Sequence, residues 1–244
     1  MKLTREQAAG KVMVALDYPE AAAAEKLLED LKGIPCYMKV GMQLFYAAGS
    51  SFVASLKERG YYVFLDVKMH DIPNTVKGGA NSVTKLGIDM FNVHAAGGSA
   101  MMEAALEGVD AAISGGSKKP AVIAVTQLTS TSQAVLNDQI GIAGTVEEAV
   151  IRYAALAKKA GLDGVVASPS EVAAIKSACG QAFQTVTPGI RPLGAELNDQ
   201  SRIMTPSDAV RQGTDFMVIG RPITASPNPR AALESIIEEL ISVE

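Results

Sequence analysis

A (β/α)8 barrel is the fold this sequence predicts, and three observations carry the prediction. Eight apolar, strand-like stretches alternate with helical ones along 244 residues, and strands that alternate with helices build a parallel sheet. The strand ends fall at intervals of roughly 20 to 40 residues, the rhythm of eight strand–helix units closing into one barrel. Nearly every strand ends on a chemically capable residue (Asp17, Lys39, Asp66, Lys68, His94, Thr129, Arg191, Arg221), whereas the opposite ends supply mostly small or loop residues. In barrels of this kind the C-terminal strand ends form the active-site face. An open doubly wound sheet is the alternative, but it needs a glycine fingerprint after the first strand, where this chain has Asp17-Tyr18-Pro19.

Each element has its own signal. Thr4 with Gln7 forms a capping box for a short helix to Ala9, placed to cap the bottom of the barrel. Lys11 to Leu16 is the first strand, and Pro19 opens the helix from Glu20 to Leu31. Cys36 to Val40 is the second strand, with Lys39 near its end, and Ser50 and Ser51 precede a helix ending at Gly60. The third strand starts at Tyr61 and is apolar to Leu65, then turns charged; its helix runs from about Thr75 to Leu86, with Gly87 as the stop. Asp89 to Val93 is the fourth strand, followed by a helix from Ser99 to Glu107. Pro120 to Leu128 is the fifth, and Thr145 with Glu148 boxes the helix that ends at Gly161. Gly164 to Ala167, Phe183 to Thr187 and Phe216 to Ile219 complete the set. Their helices open at Ser168-Pro169-Ser170, at Thr205-Pro206 (stopping at Gly213) and at Asn228-Pro229, the last ending at about Ile241. Met38, Met42, Met69, Met101 and Met102 read as core filler. No linker or low-complexity tract interrupts the chain, so 1–244 reads as a single domain.

Bulk composition narrows the class. Hydrophobic residues make up 48% and charged residues 20%, enough apolar material for a full core. A net charge of -4 argues against a nucleic-acid or anionic-membrane surface. No stretch is long and apolar enough to span a bilayer, and the opening residues lack the apolar run of a signal peptide. Two cysteines, Cys36 and Cys179, make no disulfide framework, so the expected setting is the reducing cytoplasm. With two histidines and no Cys/His cluster at ligand spacing, no transition-metal site is expected.

The polar strand ends divide into two halves. Asp66 and Lys68 are two apart and so share one side of a strand, Asp71 follows in the turn, and Lys39 lies on the neighbouring strand. Isolated charges are costly at an apolar strand end, so the cluster is either a structural ion-pair network or a device for holding an ammonium charged and aimed. Carboxylates on both sides favour the ammonium form, which suits a general acid rather than a Schiff-base nucleophile. The second half lies after strands seven and eight, in Pro188-Gly189-Ile190-Arg191 and Ile219-Gly220-Arg221-Pro222, the usual phosphate corner of such barrels. Glycine admits backbone N–H groups to an anion and arginine grips it with a planar fork. Taken singly, either loop also reads as a turn glycine beside a surface charge. His94 reads more readily as a hydrogen-bonded core residue than as a catalyst, and His70 receives no role.

The run Asp66-Val67-Lys68-Met69-His70-Asp71-Ile72-Pro73-Asn74-Thr75 resembles the signature of the orotidine 5'-phosphate decarboxylase family. Support extends along the chain, in Ala15-Leu16-Asp17, Lys39-Val40-Gly41, Asn92-Val93-His94-Ala95, Thr126-Gln127-Leu128-Thr129-Ser130, Thr187-Pro188-Gly189-Ile190-Arg191, Asn198-Asp199-Gln200 and Ile219-Gly220-Arg221-Pro222. The resemblance implies cofactor-free decarboxylation of orotidine 5'-monophosphate to UMP, with Lys68 as proton donor to C6. It implies Asp66 and Asp71 flanking Lys68, Lys39 completing the array, and a homodimer in which Asp71 and Thr75 serve the neighbouring subunit's site. Asp17 and Lys39 would bind ribose hydroxyls, Thr129 the pyrimidine, and Pro188, Arg191, Gln200, Gly220 and Arg221 the phosphate. The loop 192–203 would be a lid. Related barrel decarboxylases and synthases that work on a metal-bound enediolate share the pivotal motif, and a catalytically silent nucleotide-binding barrel is the alternative from another class.

Overall fold

The computed structural model describes residues 2–113, 118–192 and 204–243. Eight parallel strands close into a barrel in chain order: β1 (Val12–Ala15), β2 (Tyr37–Gly41), β3 (Tyr62–Met69), β4 (Met90–His94), β5 (Ala121–Val125), β6 (Gly164–Val166), β7 (Gln184–Thr187) and β8 (Phe216–Ile219), with β8 pairing back onto β1. Helices α1 (Arg5–Ala9), α2 (Ala21–Asp30), α3 (Met42–Glu58), α4 (Pro73–Thr84), α5 (Gly98–Ala112), α6 (Val146–Lys159), α7 (Val172–Cys179), α8 (Pro206–Arg211), α9 (Arg221–Thr224) and α10 (Pro229–Ile241) surround it. Alternate strand residues separate two cores, as the period of two requires. Met13, Phe64, Met90, Ile123 and Val186 fill the lumen, while Val14, Leu65, Phe91 and Val165 face the helices.

Both predicted capping boxes form, at Thr4 with Gln7 and at Thr145 with Glu148. Helix α1 precedes β1 and packs against α10, with an Arg5–Glu234 ion pair between them. The strand β8 and the helix α10 have the bounds expected of them. Other expectations need correction. Pro19 lies outside α2, whose N-cap is Glu20. α3 begins directly after β2, at Met42, and Gly49 breaks it with φ 71°, a left-handed backbone that glycine adopts freely. Ser50 therefore opens only the second segment. α4 starts at Pro73 rather than Thr75, α5 runs past Glu107 to Ala112, and Ser168-Pro169-Ser170 leads through a 3-10 turn into α7. Met42 is exposed and is not core.

The N-terminal end of the barrel is also more polar than expected. Asp89, Asp163 and Asp215 each precede a strand and accept a hydrogen bond from a backbone N–H of the preceding one: Val63 at 2.8 Å, Val122 at 2.7 Å and Thr185 at 2.8 Å. Strand starts carry N–H groups that the ladder does not use, and a carboxylate satisfies one each time. The ammoniums of Lys57 and Lys176 pair with Asp89 and Asp215. These charges hold the scaffold at the end remote from the cavity.

Candidate active site

At the C-terminal mouth lies a cavity of about 540 Å³, lined by residues from nearly every strand end. Charges of alternating sign cross its floor. The Lys39 ammonium lies 2.9 Å from Asp17 Oδ1 and 3.6 Å from Asp66 Oδ2, and the Lys68 ammonium lies 2.6 Å from Asp66 Oδ1. Lys39 is buried within β2, and these two carboxylates are its ionic partners there. Burial pushes the Asp66 carboxyl up, but Lys39, Lys68 and hydrogen bonds from Lys68 and Asn92 outweigh it and hold the group below the ordinary carboxylate value.

The local backbone is unusual where the array is densest. β3 does not stop at Leu65 but runs on to Met69 through an irregularity. Lys68 has φ 51°, the one positive φ outside glycine among the described residues. A side-chain-bearing residue in that region costs about 1–3 kcal/mol and persists where its surroundings over-determine it. The lysine is thus held in a strained geometry at the end of a strand whose neighbours are regular.

The opposite wall is built from the loops after β7 and β8. Pro188, Gly189, Arg191, Gly220 and Arg221 line the cavity there. Arg191 is only 7% exposed; one of its terminal N–H groups donates to the Ile190 carbonyl, and its buried Nε finds no acceptor among the described residues. Burial, and then the charge of Arg221, lowers its pKa. Two guanidiniums sharing a corner, one with an orphaned donor, have the charge and the N–H groups to hold an anion. Between the two halves the wall is apolar, from Phe64, Val125, Val166, Ala167 and Val218, with Thr129 at its edge.

The structure therefore gathers Asp17, Lys39, Asp66, Lys68, Thr129, Pro188, Arg191, Gly220 and Arg221 around one cavity. It does not bring Asp71 or Thr75 there. Both are exposed, and Asp71 accepts a hydrogen bond from its neighbour Ile72 N–H. Gln200 and residues 193–203 of the expected lid lie outside the described residues. His94 does not line the cavity; its ring lies 5.3 Å from that of His70, and burial first, then His70 and Lys68, lowers its pKa below the ordinary imidazole value. Asn92, uncharged inside an apolar strand, figures in the sequence only as part of the Asn92-Val93-His94-Ala95 resemblance and has no role there, yet it contacts both Asp66 and Lys68.

Fold and site together define a (β/α)8 barrel whose C-terminal mouth joins a corner of two arginines to a lysine–carboxylate array. The chain belongs to the orotidine 5'-phosphate decarboxylase / HUMPS family, whose model matches residues 10–236. It is 50% identical over 244 residues to the orotidine 5'-phosphate decarboxylase of Moorella thermoacetica, covering 100% of this chain and 97% of that one. It is also 50% identical over 227 residues to the enzyme of that name from a Geobacillus species, covering 93% and 95%. The crystal structure of orotidine 5'-phosphate decarboxylase from Lactobacillus acidophilus superposes with a TM-score of 0.85 at 43% identity, covering 94% of this chain and 98% of that one.

Proposed function

We propose that the chain, as one barrel domain, decarboxylates orotidine 5'-monophosphate to UMP and CO2, the last step of pyrimidine nucleotide synthesis, without metal or organic cofactor. The observation that carries this reading is the Asp17–Lys39–Asp66–Lys68 array, set across an apolar cavity from the Arg191–Arg221 corner. Family membership and the names of the relatives support it. The phosphate occupies the arginine corner with Pro188, Gly220 and, from outside the described residues, Gln200. Asp17 and Lys39 take the ribose hydroxyls, and Thr129 meets the pyrimidine.

In the reaction the C6–carboxylate bond breaks, its electron pair remains on C6 as a vinyl carbanion, and CO2 departs. The Lys68 ammonium then gives its proton to C6 and is recharged from solvent. A fixed ammonium beside the developing charge stabilises the transition state without the reorganisation that water would need. Asp66 keeps that ammonium aimed and, when substrate is bound, faces the departing carboxylate. Asp71 completes the array from a neighbouring subunit, with Thr75, in a cytoplasmic homodimer. Their exposure, and that of Ile72, Met42 and Tyr46 at the same end of the barrel, supports such a contact.

Replacing Lys68 with alanine tests the assignment. The expected protein is folded, binds UMP, and has no measurable turnover. Near-normal kcat in Lys68→Ala removes the lysine from the role of proton donor.

A further inference from the structure

We infer that Asn92 is the positioning residue of the site, one buried amide that fixes both the Asp66 carboxylate and the Lys68 backbone. The inference rests on the reading of Lys68 as proton donor. It starts from the pairing of β3 with β4. Leu65 is opposite Phe91 and Met69 is opposite Val93, so Asn92 alone faces the stretch Asp66, Val67 and Lys68. Three residues against one cannot make an ordinary ladder. The side chain of Asn92 takes over. Its Oδ1 accepts from the Lys68 backbone N–H at 2.8 Å, and its Nδ2 donates to Asp66 Oδ1 at 2.7 Å.

Chemistry assigns the two ends of the amide. A backbone N–H only donates and an ionised carboxylate only accepts, so the oxygen must face Lys68 and the nitrogen Asp66. Asn92 is completely buried, so water competes for neither bond. Leucine offers neither group, aspartate cannot donate when ionised, and glutamine would force an extra methylene into a packed site. The same amide thus holds Lys68 in its left-handed backbone and shares Asp66 Oδ1 with the Lys68 ammonium, leaving Asp66 Oδ2 for Lys39. Asn92 itself is not among the residues lining the cavity, so it acts through the pair.

The test compares Asn92→Ala and Asn92→Ser with the wild-type enzyme, rates being normalised to sites counted by UMP titration. The serine variant stays polar and serves if alanine does not fold. Expected is a fall in kcat on the order of 10- to 100-fold, the size of one hydrogen bond to a charged group, with KM and UMP affinity within about threefold of wild type. The acid limb of the kcat/KM profile should move to higher pH, because Asp66 has lost a donor that favours its charged form. Crystal structures of the variants should show Lys68 leaving positive φ and parting from Asp66. Unchanged kcat, or a loss that only parallels UMP binding, overturns the inference, as does a crystal structure in which the Lys68 backbone and its contact with Asp66 persist. If the wild-type enzyme fails to turn over orotidine 5'-monophosphate, the proposed reaction falls, and the crystal structures alone still decide whether Asn92 holds the pair.

Discussion

Replacing Asp66 with asparagine removes the one negative charge between two ammoniums while nearly preserving volume and shape. The carboxylate lies 2.6 Å from one Nζ and 3.6 Å from the other, and its side chain is 13% exposed. At an effective dielectric of about 20, each such pair is worth of order 5 kcal/mol. Desolvation of the buried ions takes back several kcal/mol. The side chain of Lys68 is 27% exposed, so it can swing toward water once its partner is gone. A net loss of about 2–3 kcal/mol follows, below the usual cost of orphaning a fully buried charge. In a chain of this size that lowers Tm by roughly 4–12 °C.

The pH dependence supplies the sharper test. The folded pKa of Asp66 lies below its ordinary value. Its stabilisation is therefore complete above the unfolded carboxylate pKa of about 3.9 and is lost as pH falls through the lower folded value. Thermal or urea unfolding of wild type and Asp66→Asn should show the full gap at pH 7 and a closing gap below about pH 4. A variant as stable as wild type at pH 7, or a gap that does not change with acid, would refute the electrostatic account of the array.

Three further outcomes are expected. Arg221→Ala should raise KM for the nucleotide by roughly 10- to 100-fold, with kcat less affected, as for a lost charged contact; an unchanged KM moves the phosphate elsewhere. Mixing Lys68→Ala with Asp71→Ala subunits should restore measurable activity, since every mixed dimer would carry one intact site; mixed dimers shown to form but no more active than their parents place Asp71 in its own subunit. Asp215→Ala should destabilise the fold by about 3–5 kcal/mol, because Lys176 is buried and the carboxylate also holds the Thr185 N–H, while nucleotide affinity stays unchanged; wild-type stability in denaturant would show that the N-terminal ties do not hold the barrel.

The barrel was legible because its signals are local and repeated. Thr4, Thr145 and Thr205 cap helices through their own side chains, and Asn228-Pro229 opens α10. Where the start of a helix carries no such signal, as at Gly41-Met42, sequence reasoning placed it late. The cavity residues were legible because charges stand out at apolar strand ends. Asp89, Asp163 and Asp215 stand at the other ends of strands, and nothing local in the sequence shows that each ties down a backbone N–H of the preceding strand. Likewise, the change from apolar to charged after Leu65 does not show that β3 runs on irregularly to Met69. The register shift against β4 and the left-handed Lys68 depend on Asn92, 24 residues on, and no window of local sequence contains that contact.

The most direct measurement is the fall in absorbance of orotidine 5'-monophosphate with purified wild-type protein in excess EDTA. The account predicts conversion to UMP with no added metal, abolished in Lys68→Ala. A folded protein that leaves orotidine 5'-monophosphate untouched, yet acts on a sugar phosphate once magnesium is supplied, would contradict it and place the chain among the enediolate enzymes of the same barrel.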